Sequence, residues 1–284
     1  MKSFLQLTIA LFAGALLFGS CDKVDDPYYK QITIDTTTQQ VQKKVLLEDY
    51  TGHMCVNCPA AGNIAHNLSN TYGDRVVILA IHAGFFATPL PGEFSADYRT
   101  ACGNEWDTYF GISAAGNPNG MVNRKNHPGN HILSPEAWSG AITEALNEPV
   151  TVDIKLKNTY TAAGRGLSTE AEVSFIEQTD KDLYLVVVLT ESGIISPQKN
   201  NNTAVGTTPV IEDYEHNHVM RGAINEPWGQ QISTAGAANP ASLTRAYTYT
   251  IPAHINADNA SVVAFIYDNE TKEVLQAAEK KVTE

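Results

Sequence analysis

A short apolar run, two cysteines three positions apart, a helical pattern and a second apolar run follow one another in residues 45–81, and no other feature limits the fold so tightly. Val45-Leu46-Leu47 reads as a buried strand, and the Thr51-Gly52 turn delivers Cys55 to the start of a helix. Ala61, Ile64, Ala65, Leu68 and Tyr72 recur at i, i+3, i+4, i+7 and i+11, which predicts a helix from Cys58 to Tyr72, ended by Gly73-Asp74. Val76-Val77-Ile78-Leu79-Ala80-Ile81 is a continuous run with no polar alternation, the pattern of a strand covered on both faces. Two strands flanking a helix make a βαβ unit.

Two thiols at this spacing close a small disulfide. Unsatisfied N–H groups at a helix N-terminus favour the thiolate of the first, so Cys55 is the expected nucleophile and Cys58 the resolving thiol. A Phe-, Pro- and Gly-rich stretch then reads as an inserted loop over residues 85–94, before a helix predicted from Ala96 to Phe110. Ser134-Pro135-Glu136 opens another helix with an N-cap, a proline at the first helical position and an acid in the first turn.

After Pro149 the pattern changes. Val150, Val152, Ile154 and Leu156 alternate with polar residues, and further strands are predicted at Ala171–Ile176, Leu183–Leu189, Ala246–Ile251, Ser261–Tyr267 and Val274–Ala278. Short strands with Gly, Asn and Pro punctuation and little helical period predict an antiparallel β-sandwich of immunoglobulin-like type. At 284 residues the chain is long enough for two domains, and the boundary falls near Pro149. Lys199-Asn200-Asn201-Asn202-Thr203 reads as a long polar loop. His216 and His218, followed by Arg221, form the densest polar cluster of this half and stand as ligand-binding candidates, against the plainer reading of a solvated strand or loop. No third ligand has a diagnostic spacing, so no metal is expected at this cluster, and nothing in the chain calls for a cofactor.

The first twenty residues read as an export signal: Lys2, then an apolar stretch from Phe4 to Phe18, then Gly19 and Ser20 before Cys21. That stretch is about fifteen residues, short of the roughly 20 a membrane-spanning helix needs. Leu17-Phe18-Gly19-Ser20-Cys21 resembles a bacterial lipobox, in which Cys21 receives lipid and becomes the mature N-terminus. Residues 21–42 then form a polar tether. The full chain carries 31 acidic and 19 basic residues, and loss of Lys2 with the leader takes its formal charge from -12 to -13. A chain so acidic, with no Lys/Arg block, lacks the electrostatic footprint for nucleic acid.

Val45-Leu46-Leu47-Glu48-Asp49-Tyr50 followed by Cys55-x-x-Cys58 resembles the thioredoxin superfamily. The resemblance implies a buried acid six positions before the first cysteine, which is Asp49 with Glu48 competing, and a cis-proline immediately before a strand, which is Pro118 in Asn117-Pro118-Asn119-Gly120-Met121-Val122. Met54 before the first cysteine and Val56-Asn57 between the thiols depart from the family pattern, as does the lengthened path over residues 85–105. Lipobox, Thr51-Gly52-His53-Met54-Cys55-Val56-Asn57-Cys58-Pro59, the Pro118–Arg124 segment and the β-rich second half together resemble the twenty-eight-kilodalton outer-membrane-protein-related family of Gram-negative lipoproteins.

The expectation is therefore a leader over 1–20, a lipid-anchored tether over 21–42, a thioredoxin-like α/β domain over 43–148 with an insertion at 85–105, and a β-sandwich over 149–284. The expected partners are a membrane, through lipid on Cys21, and proteins bearing thiols or disulfides. Exchange through Cys55 requires that thiol to be at least partly accessible beside Pro118. Two alternatives stay open for the thiols: a static disulfide in a surface lipoprotein whose sandwich binds a protein or glycan, and a zinc site drawing on Cys55, Cys58, Cys102 and His53.

Overall fold

A computed structural model describes residues 41–127 and 129–283, so the leader, Cys21 and all but the end of the tether lie outside the described residues. The βαβ unit is present as β1 (Val45–Thr51), α1 (Cys58–Tyr72) and β2 (Val76–His82), with β1 and β2 parallel and in register from Val45 opposite Val76 to Thr51 opposite His82. A second helix, α2 (Ala101–Phe110), precedes β3 (Asn119–Val122), which runs antiparallel to β1, and α3 (Pro135–Ala145) follows it. The predicted start of α2 at Ala96 is five residues early. Thr100 is extended and its side chain accepts from Gly103 N, so the cap fixes the helix at Ala101.

The second half contributes β4 (Val152–Thr161), β5 (Gly166–Phe175), β6 (Leu183–Glu191), the two-residue strands β7 (Ile194–Ile195), β8 (Gln198–Lys199), β9 (Val210–Ile211) and β10 (Glu215–His216), then β11 (Val219–Ala223), β12 (Gln230–Gln231), β13 (Ser242–Thr250), β14 (Ala260–Asp268) and β15 (Val274–Lys281). The main sheet runs β15-β14-β6-β11-β2-β1-β3, with β12 also pairing β6. The join is parallel, between β11 and β2 at Val219 and Ala80, and Ala80 N donates to His218 O. The architecture is thus a mixed α/β N-terminal region followed by antiparallel strands.

The expected division at Pro149 into an α/β domain and a separate sandwich is corrected. Residues Val41–Glu284 form one compact unit, and strands from both sides of Pro149 share the main sheet. The reason is visible in β6 and β14, Leu-Tyr-Leu-Val-Val-Val-Leu-Thr-Glu and Ala-Ser-Val-Val-Ala-Phe-Ile-Tyr-Asp, which are apolar at nearly every position and so must be covered on both faces. Leu185, Val187, Leu189, Val262, Ala264 and Ile266 pack toward the three-stranded sheet β13-β5-β4. Val186, Val188, Val263, Phe265 and Tyr267 pack on the opposite face, with Trp106 and Phe110 of α2. Strands β4 and β13 alternate between inward and outward residues, as expected of an outer layer with one solvated face.

Across the N-terminal part, α1 and α3 cover one face of the sheet and α2 the other. Successive side chains of β1 therefore enter different cores. Leu46, Glu48 and Tyr50 face α2, whereas Val45, Leu47 and Asp49 face α1.

Glu48 meets Arg124 there. Arg124 Nε and Nη2 donate to the two Glu48 carboxylate oxygens at 2.8 and 2.7 Å, and both side chains are fully buried. The guanidinium lies 4.7 Å from the Trp106 ring centroid, 4.8 Å from Phe265 and 5.1 Å from Phe110, with Tyr267 and Trp228 slightly farther out. To reach this box Asn123 and Arg124 both take left-handed backbone, with φ of 49° and 55°. Replacing Glu48 with Ala strands a buried guanidinium and lowers unfolding stability by about 3–5 kcal/mol, whereas Glu48→Leu combined with Arg124→Met recovers most of that loss. Urea titrations of the single and double variants check this.

Candidate functional site

Cys55 and Cys58 are joined as a disulfide, which takes both thiols from the zinc alternative. Helix α1 begins at Cys58, so Cys55 sits in the turn before it, its N–H donating to Gly52 O. The exposed tip of the motif is Val56-Asn57, and the sulfur-bearing residues lie beneath it. Cys55 is 2% exposed and Cys58 3%, which corrects the expectation of an accessible Cys55.

Two segments produce this burial. On one side the turn at Phe85–Ala87 presses on the motif, with Met54 N donating to Phe86 O. A Cβ on Gly52 would stand 2.4 Å from Phe86 C, so the approach requires glycine. On the other side lies the excursion between β6 and β11. Lys199 N donates to His53 O at 2.9 Å and Asn201 N to Val56 O at 3.2 Å. The Gln198 side-chain amide donates to Gly52 O and Cys55 O at 3.2 and 3.0 Å.

Behind the disulfide is a cavity of about 360 Å³, lined among others by Asp49, Cys58, His66, Tyr214, His216 and His218. Asp49 is buried, and its Oδ1 has no hydrogen-bond partner. Burial pushes its pKa up to about 7. Tyr214, over the same cavity, is pushed up to about 12 by burial and by Asp49. Glu48 is no candidate for proton transfer at the disulfide, because one residue along a strand turns the side chain to the other face, where Arg124 holds it. The Asn117–Pro118 bond is cis, and Pro118 stands one residue before β3, whose register with β1 pairs Asn119 with Tyr50.

His216 and His218 converge on this cavity, but Arg221 does not line it. Arg221 pairs with Glu191 at 3.3 Å and lies 5.6 Å from the Tyr98 ring. His216 is buried, packed between Tyr98 and Tyr214, and burial lowers its pKa to about 4. Tyr98 also packs on His82 and His53. Among the described residues no three His, Cys, Asp or Glu side chains gather closely enough to hold a metal ion. Cys102, on the buried face of α2, is a free thiol packed in the core, and burial raises its pKa. The residues missed by sequence reasoning are Gln198, Asn200 and Tyr98, because an amide-rich loop and a lone tyrosine carry no periodic signal of burial.

Asp49 has an unfolded-state pKa near 3.8, so between about pH 4 and pH 7 the folded chain holds a proton that the unfolded chain has released. Its contribution is therefore whole at low pH and is lost as pH rises through about 7. Asp49→Asn should match the wild type near pH 4 and exceed it by about 2–4 kcal/mol at pH 8. The difference between the two unfolding curves isolates Asp49, because the buried histidines act on both proteins alike.

The chain matches the model of the outer membrane protein Omp28 family over residues 104–284, a stretch that begins beyond the disulfide. No curated protein matches it. Among solved structures it is similar to HBP35 of Porphyromonas gingivalis, at 16% identity and TM-score 0.62, over 85% of this chain and 76% of that one. Protein AGR_C_4864 from Agrobacterium tumefaciens is similar at 12% identity and TM-score 0.51, over 86% and 97%. A domain of the outer membrane lipoprotein Omp28 from Porphyromonas gingivalis is 23% identical over 48% of this chain and 91% of its own, at TM-score 0.33. No helix among the described residues is long and apolar enough to cross a membrane. The chain belongs to the outer membrane protein Omp28 family, and its place is the outer membrane of the cell envelope.

Proposed function

We propose that this outer-membrane protein is anchored by lipid on Cys21 and that its Cys55–Cys58 centre, in a thioredoxin-like setting, exchanges disulfides with protein partners. The observation that carries the reading is Asp49: an unpaired, buried carboxyl with a pKa near 7, facing the same cavity as Cys58. A staple between two cysteines has no use for such a group, and its ionised form costs stability at neutral pH. The arrangement β1–Cys55-x-x-Cys58–α1–β2, with Pro118 leading into β3 beside β1, supports the same reading.

Cys55 is covered in the closed fold, so exchange requires the segments over it to move aside. In the oxidising direction a partner thiolate then attacks Cys55 Sγ, and the Cys55–Cys58 bond breaks. Cys58 leaves as thiolate and takes the proton of neutral Asp49. A second partner thiolate then attacks the mixed disulfide and releases Cys55. The partner has lost two electrons and become a disulfide, and the pair is reduced to the Cys58 thiol and the Cys55 thiolate. In the reverse direction Cys55 thiolate attacks a partner disulfide, and Asp49 accepts the proton of Cys58 as that thiol resolves the intermediate. Pro118 aligns the partner strand.

A second reading, a static disulfide in a protein whose β-rich half binds a protein or glycan, is favoured by one observation, the burial of Cys55. The full-length Cys58→Ser protein distinguishes the two. Exchange predicts reductant-sensitive adducts on Cys55 in the cell envelope, absent when Cys55 is also Ser. No adduct, together with a reduction potential below about -300 mV for the pair, establishes the static disulfide.

A further inference from the structure

We infer that the segment Gln198–Asn201 occupies the groove in which a partner's extended, cysteine-bearing segment would lie, and that the disulfide reacts only when this strap is displaced. The inference deepens the proposed exchange by naming how the same site is regulated. The strap is extended, and its Lys199 and Asn201 amides bond the carbonyls of His53 and Val56, on either side of Cys55. That is the backbone pairing a bound peptide would make, supplied here by the chain itself.

Its anchors are more specific than a loop's usual contacts. Gln198 is 2% exposed and spends its amide on the two carbonyls that frame the turn leading into Cys55. Asn200 is 1% exposed, and its amide closes the loop from within by donating to Asn202 O, Gly206 O and Thr207 O. The base of the strap is tied to the insertion before α2, where Tyr98 Oη donates to Ser196 Oγ at 2.8 Å and Lys199 Nζ lies 5.8 Å from the Phe94 ring.

The strap is also separable from the fold. It belongs to the excursion between β6 and β11, whose short strands pair among themselves, β7 with β10 and β8 with β9. The main sheet closes beneath it, as β11 pairs β6 directly and joins β2. Moving residues 198–201 therefore breaks no pairing of the main sheet, whereas with the strap bonded to the carbonyls of Gly52, His53, Cys55 and Val56 the Cys55 residue is only 2% exposed.

The test is the rate at which dithiothreitol reduces Cys55–Cys58 in the full-length protein, read by acid quench, alkylation and mass. The reagent closes to its own cyclic disulfide and delivers two electrons and two protons to the pair, so no cellular partner is needed. The wild-type rate, linear in dithiothreitol at low concentration, should have a slope at least about a hundred-fold below that of the protein unfolded in urea. Gln198→Ala and Asn200→Ala should each raise the native slope about ten-fold or more while leaving the global unfolding rate, followed by tryptophan fluorescence, unchanged. A wild-type slope equal to that of the unfolded chain overturns the inference, as do unchanged slopes in both folded variants or slopes that rise only in step with global unfolding. A failed partner trap with Cys58→Ser would refute exchange and leave these rates untouched, so the two claims fail separately.

Discussion

The fully buried pair of Glu48 and Arg124 is the contact on which the rest of the molecule is assembled. A bidentate carboxylate–guanidinium pair withdrawn from water is tolerated only with close geometry and with rings to replace part of the lost hydration. Those rings come from α2, from β14 and from the Trp228 loop, so the charge on β1 gathers pieces separated by more than two hundred residues. Trp106 Nε1 and Tyr267 Oη then bond the carbonyls of Pro227 and Trp228, which ties the loop to the box. One electrostatic commitment thereby fixes how the α/β part and the antiparallel part share a sheet.

The same strand separates structure from chemistry by a single residue step. Glu48 faces the aromatic box, and Asp49 faces the cavity behind the disulfide. Two adjacent carboxyls thus have opposite circumstances. One is gripped by a guanidinium through two hydrogen bonds, and the other has an oxygen without a partner and is shifted upward by burial alone. Tertiary packing chooses between them: α1 supplies no cation beside Asp49, while the turn after β3, in left-handed backbone at Asn123 and Arg124, delivers one to Glu48.

The β1–α1–β2 unit was legible from periodicity because its helix shows a one-sided stripe and its second strand an unbroken apolar run, and the structure has both at the predicted residues. The strands of the second half were legible as strands, but their membership was not. Leu183–Glu191 and Ala260–Asp268 are apolar on both faces, a fact compatible with several partners, and only the assembled sheet shows α2 on one side and β4, β5 and β13 on the other. At the site, Cys55 and Cys58 are joined as a disulfide at the turn before α1, Asp49 faces the cavity behind it, and the Asn117–Pro118 bond is cis. The burial of the sulfurs was not legible, since the residues that cover them come from Phe85–Ala87 and Gln198–Asn201, far away in the chain and polar in part.

The sequence by itself determined the local units: an α/β segment carrying two cysteines at a strand-to-helix turn, a β-rich second half, and an acidic balance without a basic block. Periodicity, turn chemistry and charge are properties of neighbouring residues, so they survive without a fold. Tertiary structure alone decided that both halves share one sheet, that Glu48 and not Asp49 receives a guanidinium, and that the disulfide is covered. Each of these depends on side chains and carbonyls brought together from distant positions, and no local pattern records which distant group arrives.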